Sequence, residues 1–313
     1  MGINEELRKE FESLANTTTA DIDAITQSEV FSKYIIQEAG LGRKLAGVIS
    51  AVAEDLKKGS GDTVKVRIFP KIGVSKVAEG VVNEAAAYKP FASSVTIDRW
   101  STTVPVTGQS IFVASVDLKA RIIKALSEGW AEAMDDEISG KLDIGAATGT
   151  SYTPAYKAVL STAGDFGELY AKVKDVADHM RFNMGRNPDM LLVTAEGHTQ
   201  LLTDYEDATK RYAIELNDDG TVKSVYGLKV IVVPKKSAGA TLNQVVALVV
   251  DSSMAVAEAR GMPAKFEENR NAKADIYEEV LNVYWGAEII TADMDGDGTA
   301  EAIGIGQVVN PAA

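Results

Sequence analysis

An α+β fold is predicted by three patterns in this 313-residue sequence. One long segment repeats apolar residues every four positions. Several shorter segments alternate apolar and polar residues, and a helix–turn–strand module sits in the second half. Hydrophobic residues make up 46% of the chain, enough for a sizeable core and too many for a disordered one.

The elements follow in order. Residues 1–58 read as helical and arm-like. EELRKEFESLAN places Leu7, Phe11 and Leu14 on one thin stripe, and TTTADIDAITQ then interrupts. VFSKYIIQEAGLGRKLAGVISAVAEDL resumes an apolar pattern cut by Gly40 and Gly42. A stripe this thin has to pack on something outside itself.

From Gly59 the period changes to two. Val64, Val66 and Ile68 alternate with Lys65 and Arg67, and SVTIDRWSTTVPVT reads as the returning strand. The long connection between them buries little of its own. Over this stretch Lys65, Arg67, Lys71, Lys76, Lys89 and Arg99 outnumber Asp62, Glu79, Glu84 and Asp98. A basic hairpin in an acidic chain suits a projection that lies on a partner.

SVDLKARIIKALSEGWAEAMDDEISGKL carries the clearest helix signal, with Ile122, Leu126, Trp130, Met134, Ile138 and Leu142 at spacings of four. Ser115 suits the N-cap and Asp117 the positive end of the helix dipole. Residues 145–165, rich in Gly, Ala, Thr and Ser, read as a loop. A helix over 166–184 then leads through GRNPD into the strand MLLVT, with Thr194 capping a short helix. DDGT at 218–221 is a tight turn, and NQVVALVV is a buried strand. Residues 265–290 read as one long extended segment, and EIITA pairs with AEAIGIGQVV as a final hairpin.

Composition excludes several kinds of chemistry. There is no cysteine, hence no disulfide, thiolate metal site or Cys nucleophile. The net charge of −13 argues against a basic nucleic-acid coat. MGINEELRKEFESL lacks the apolar core of a secretory signal, and no run approaches the roughly 18 apolar residues of a membrane span, so no membrane partner is expected. No nucleophile elbow, zinc-protease helix, phosphate loop or dinucleotide fingerprint occurs. The two histidines, His179 and His198, sit on helical segments without partners at ligand spacing. Asp135–Asp136 and Asp218–Asp219 read as solvated faces, and Trp100, Trp130 and Trp285 as core or interface anchors. No enzyme activity and no required cofactor are expected.

One stretch, TADMDGDGTAEAIGIG, does look like a binding site. Asp293, Asp295 and Asp297 alternate, Gly298 follows and Glu301 closes the group. An EF-hand fails here because Gly304 occupies the position of the bidentate Glu. Two readings stand. One is a β-hairpin Ca²⁺ loop with Glu301 as the last ligand; the other is an exposed turn built of Asp-Gly pairs.

The order of these parts resembles the major capsid protein family of tailed phages, with its Hong Kong 97-type fold. GDTVKVRIFPKIG…VTIDRWSTTVPVT is similar to the family's extended loop, and the segment 115–142 to its spine helix. NPDMLLVTAEGHTQLL, VYGLKVIVVP and VVALVVDSSMAVAEARG look like its axial domain, and ADIYEEVLNVYWGAEII like the long peripheral strand. The resemblance implies an N-terminal arm at 1–58, an extended β-hairpin loop at 59–107, and a spine helix with peripheral domain at 108–145. It implies an axial α/β domain at 146–264 and a peripheral strand with C-terminal hairpin at 265–313.

The implied function is self-assembly, as hexamers and pentamers, into the icosahedral shell enclosing a tailed virus's double-stranded DNA without sequence-specific binding. Assembly in the host cytoplasm, and portal, scaffolding and cement proteins as partners, come with it. No large scaffolding segment precedes the loop, so scaffolding is expected as a separate protein or in a longer precursor. Other readings are an encapsulin-like compartment, a calcium-dependent binding module, and a hydrolase with an unfamiliar site. The acidic loop lies outside the family's common pattern.

Overall fold

A computed structural model of the protein describes residues 35, 38–40, 42–53, 63–68, 91–113, 118–145, 151–162, 166–207, 209–233, 244–261, 265–271, 275–293 and 299–311. Most of the expected N-terminal arm, the connection within the basic hairpin, and Ser115 and Asp117 lie outside them.

Strands β1 (Ile49–Ala53), β2 (Thr63–Ile68), β3 (Phe91–Thr96) and β4 (Asp98–Thr107) come first. Helices α1 (Gly108–Val113) and α2 (Leu118–Lys141) follow. Strand β5 (Thr153–Val159), helix α3 (Leu169–Asp178), β6 (Met190–Val193) and helix α4 (Ala195–Glu206) come next. Strands β7 (Ile214–Leu216), β8 (Val222–Val225), β9 (Leu228–Val232), β10 (Val245–Val250) and β11 (Val256–Arg260) lead to the C-terminal third. That third holds β12 (Lys265–Asn271), β13 (Ile276–Ile289), β14 (Thr291–Ala292) and β15 (Glu301–Val309).

Two sheets organise these strands. In the five-stranded sheet β13 is central. Strand β4 pairs with it from Thr107↔Ile276 to Asp98↔Trp285, while β12 and then β11 run along its other edge. In the eight-stranded sheet the order is β14-β15-β10-β6-β9-β8-β7, with β5 also on β15. The basic hairpin is present as the antiparallel pair β2–β3.

Helix α2 is 24 residues long, about 36 Å at 1.5 Å per residue. Its buried stripe, Ile123, Leu126, Trp130, Met134 and Ile138, continues into Leu142. Asp143 and Gly145 then take left-handed backbone (φ 54° and 73°), which ends the helix and turns the chain. Lys141 donates to Glu288 of β13 at 2.9 Å, fastening the last turn to the five-stranded sheet.

Strand β10 is buried along its whole length and separates two cores. Val245, Leu248 and Val250 join the core with α2, whereas Val246, Ala247 and Val249 join the core with α3. The side chains depart from strict alternation at the register shift between Val245 and Ala247. Thr194 caps α4, its Oγ1 accepting from Gly197 N at 3.3 Å, as the sequence predicts. The DDGT turn is present as well, closed by Asn217 N donating to Thr221 O at 2.8 Å.

Three expectations need correction. Residues 145–165 are not all loop: β5 forms there, parallel to β15. Its sequence, TPAYKAV, has only weak alternation, and an outer strand tolerates Pro154, which has no N–H to give. The segment read as helix before residue 58 contains β1, parallel to β11. A short apolar run does not distinguish helix from strand by its period. The extended segment 265–290 is a hairpin, β12 and β13, with Asp275 in left-handed backbone (φ 49°) at the turn.

The close fit of β13 against the end of β3 depends on Gly286. A Cβ there meets the carbonyl oxygen of Thr96 and the Ile97 backbone, which has no flexible end to move aside. Gly286→Ala is therefore expected to destabilise by about 1–3 kcal/mol, the overpacking range. Gly129→Ala, at an exposed position of α2 whose Cβ meets nothing within 4 Å, is expected to stabilise by up to about 1 kcal/mol. Thermal unfolding of the two variants checks the opposite signs.

Candidate functional site

Both histidines are committed to packing. His179 stacks on Tyr156 with ring centroids 3.9 Å apart. His198 Nε2 accepts from Val222 N at 3.3 Å, and burial holds its pKa below the usual imidazole value. Neither ring meets a serine or a carboxylate in a proton-relay geometry among the described residues. An apolar groove of about 270 Å³ runs between α2, β4 and β13 beside Trp100, Leu126, Trp130 and Leu281, and no titratable group is among its lining residues. Such a wall can take an apolar side chain but cannot move a proton.

The acidic loop is partly in view. Ala292 pairs with Glu301, so Asp293 and Glu301 stand at the same mouth of the β14–β15 hairpin. Asp295 and Asp297 lie outside the described residues. Among the described residues no three acidic or histidine side chains gather closely enough to hold a metal ion.

The most elaborate polar site is one that sequence reasoning missed. Glu258 on β11 is fully buried, and its two oxygens accept from Arg43 Nη1 at 3.0 Å and Arg260 Nε at 2.7 Å. The Arg43 guanidinium also lies 5.7 Å from the centre of the Trp285 ring. Asp135 of α2, read as part of a solvated face, instead accepts from the backbone N–H groups of Lys44 and Leu45 at 2.7 and 3.2 Å. Side chains from α2 and β11 thus fasten the segment that enters β1. Burial works to raise the Glu258 pKa, but the Arg43 and Arg260 charges and their hydrogen bonds outweigh it and hold the carboxyl below its ordinary value. The signal available in the sequence was a glutamate inside the apolar strand VAEAR. Its partner Arg43 stands 215 positions earlier.

Beside this site three tryptophans from α2, β4 and β13 meet edge to face. The centroids of Trp100 and Trp130 are 5.7 Å apart, and those of Trp130 and Trp285 are 6.0 Å apart. They act as core anchors, as their amphipathic settings predict.

Joints and surfaces dominate the described residues, and comparison with known proteins says what such a subunit is. Residues 91–301, from β3 to the start of β15, match the family described as phage capsid protein. The chain belongs to that family. No curated protein matches the sequence. Among solved structures, the capsid of cyanophage P-SCSP1u is similar over 85% of this chain and 87% of its own, with 12% identity and a TM-score of 0.60. The capsid of an empty GTA particle is similar over 95% of this chain and 94% of its own, with 10% identity and a TM-score of 0.61. A structure from Mycobacterium phage Adephagia covers 87% and 91%, with 16% identity and a TM-score of 0.54.

At these identities the likeness is one of fold, and the fold is the Hong Kong 97-type α+β fold expected from the order of elements. The protein is a phage capsid subunit, which makes its working parts its surfaces and the joints that hold them. Among the described residues no helix is long and apolar enough to cross a membrane.

The Arg43–Glu258–Arg260 joint sets a stability test. Stranding one partner of a buried ion pair costs about 3–5 kcal/mol, so Glu258→Gln should lower the thermal midpoint of the subunit markedly. A carboxyl whose pKa is lowered on folding stabilises above its unfolded value, near 4.3 for Glu. That stability is lost as pH falls through the folded value. Below about pH 4.3 the wild type should therefore lose stability faster than Glu258→Gln, in melts run from neutral to acidic buffer.

Proposed function

We propose that copies of this capsid subunit assemble, as hexamers and pentamers, into the closed icosahedral shell of a tailed virus around its double-stranded DNA. The family match across residues 91–301 is the observation that carries this reading. In it the five-stranded sheet with α2 forms the peripheral domain, and the eight-stranded sheet with α3 and α4 forms the axial domain toward the symmetry axis. The β2–β3 hairpin lies across a neighbouring copy, and the N-terminal arm reaches to others. Portal, scaffolding and cement proteins complete the partner set, and assembly takes place in the host cytoplasm.

A net charge of −13 fits a container for DNA. Affinity for a duplex rises with each phosphate neutralised by a basic group. A net acidic subunit contains DNA without adhering to it along its length. The family match is to phage capsids, which supports a viral shell over an encapsulin-like compartment.

The acidic loop is an accessory here. A Ca²⁺ ion held by Asp293, Asp295, Asp297 and Glu301 pins the C-terminal hairpin and takes no part in any reaction. The calcium reading expects EDTA to lower the melting temperature of wild-type subunit or shell by several degrees and to leave Asp295→Ala unchanged. Equal midpoints with and without EDTA in the wild type assign the loop to a plain turn.

Negative-stain electron microscopy of the purified full-length chain tests assembly directly. Closed shells, tubes or capsomer rings are the expected outcome. A protein that stays monomeric at high concentration across all salt conditions overturns it, and shells that co-purify with an enzyme cargo favour the compartment.

A further inference from the structure

The β7–β8 hairpin carries opposite chemistry at its two ends. At its base, Tyr226 N donates to Ala213 O at 2.7 Å. The Arg181 guanidinium lies 5.0 Å from the centre of the Tyr226 ring, and its Nη2 donates to the Tyr226 carbonyl at 3.4 Å. These contacts bring the helical turn His179–Asn183 beside Arg211–Ala213. The chain neighbours of Arg181 and Ala213 are Phe182 and Tyr212, exposed by 79% and 97%. Two large rings are thus left in water on neighbouring turns, apolar surface that a partner can cover.

The arginines at this base are available to a partner. Arg211 lies 5.0 Å from the Tyr205 ring centre. Arg181 and Arg211 rest on tyrosine faces, and neither has an ion-pair partner among the described residues. A guanidinium has five donors, so most remain open. Lys210, by contrast, is spent on Asp204 at 2.7 Å. Of the carboxylates nearby, Asp178 accepts from Tyr226 Oη at 2.8 Å, and Asp207 Oδ1 accepts from Thr209 N and Oγ1 at 2.9 and 2.8 Å.

At the tip, Asp218 and Asp219 are both exposed. Asp219 Oδ1 accepts from Thr221 N and Oγ1 at 2.9 and 2.6 Å. Those two hydrogen bonds fix its side chain and leave its second oxygen free to meet a donor. The opposing cation on this hairpin is Lys223. Strand β8 separates tip from base by on the order of 13 Å at roughly 3.3 Å per residue. A paired hairpin of that length is too stiff to fold its acidic tip back onto its own arginines.

We propose that the Asp218–Asp219 tip of one copy docks on the Arg181–Arg211 pair of the next, with Phe182 and Tyr212 excluding water from the contact. The joint is head-to-tail. Each copy gives its tip to one neighbour and its base to another, and repetition closes a ring. Arginine–carboxylate contacts of this kind are short and charge-assisted, and they fix orientation as well as affinity. The inference rests on the shell-subunit reading and names the surface through which copies meet within one ring.

Charge reversal on the full-length chain tests it, with assembly followed by light scattering and electron microscopy. Arg181→Glu with Arg211→Glu, and separately Asp218→Lys with Asp219→Lys, are each expected to raise the concentration needed for assembly at least tenfold. Arg181→Glu gives up its contacts with Tyr226 and Asp219→Lys its hydrogen bonds to Thr221, so the thermal midpoint of each subunit should fall by a few degrees while the subunit stays folded under the assembly conditions. The chain carrying all four reversals should regain assembly, because its tip and base are again complementary. Reversal variants that assemble like the wild type, or a fourfold variant that stays dissociated, overturn this joint while leaving the shell reading intact. A wild type that never assembles overturns the shell reading itself.

Discussion

The packing of α2 across β4 and β13 is the constraint on which the rest of this subunit depends. Strand β13 has neighbours along both edges, so it cannot slide without breaking two ladders at once. Trp100, Trp130 and Trp285 lock the helix to that sheet, one ring from each element. The same helix then reaches the eight-stranded sheet through Ile138 and Leu142, which share a core with Leu248 and Val250. One rigid rod thus fixes the relation between the two sheets. In a shell this matters because an error of angle in one subunit is repeated in every copy.

Charge inside this frame serves position more than stability. A buried ion pair is a weak source of net stability, since desolvation offsets much of the attraction. The Arg43–Glu258–Arg260 cluster instead specifies where the segment entering β1 must lie, because any other placement leaves a buried charge alone. Asp135 reinforces it by taking two backbone N–H groups of that segment. The Arg43 cation over the Trp285 ring ties this joint to the tryptophan seam. The segment entering β1 and the helix α2 are therefore mechanically connected.

Much of the fold was legible because its signals are short-range. The spacing of Leu126, Trp130, Met134, Ile138 and Leu142 announces α2, and the unbroken apolar run of β10 announces a strand buried on both faces. Thr194 announces a helix start and DDGT a turn, since each acts on backbone groups two to three residues away. Strands β1 and β5 were not legible. Both are parallel partners of strands distant in sequence, and their own patterns are too weak to stand without that pairing. The two polar sites differ in legibility for a related reason. Asp293, Asp295, Asp297 and Glu301 form a conspicuous local motif, while Glu258 and Arg43 become a site only when the chain folds.

Local residue order settled the class of each strong element, the want of familiar catalytic motifs and the succession of parts that resembles a capsid subunit. Periodicity, caps and turn chemistry are properties of neighbours along the chain, so they survive without a structure. The tertiary structure alone decided which edges pair, which carboxylates are buried, and that Phe182 and Tyr212 stay exposed while the neighbouring Arg181 and Arg211 rest on tyrosine rings. Those facts belong to pairs of residues far apart in sequence. Burial and electrostatic pairing depend on distance in space, and only the folded chain sets it.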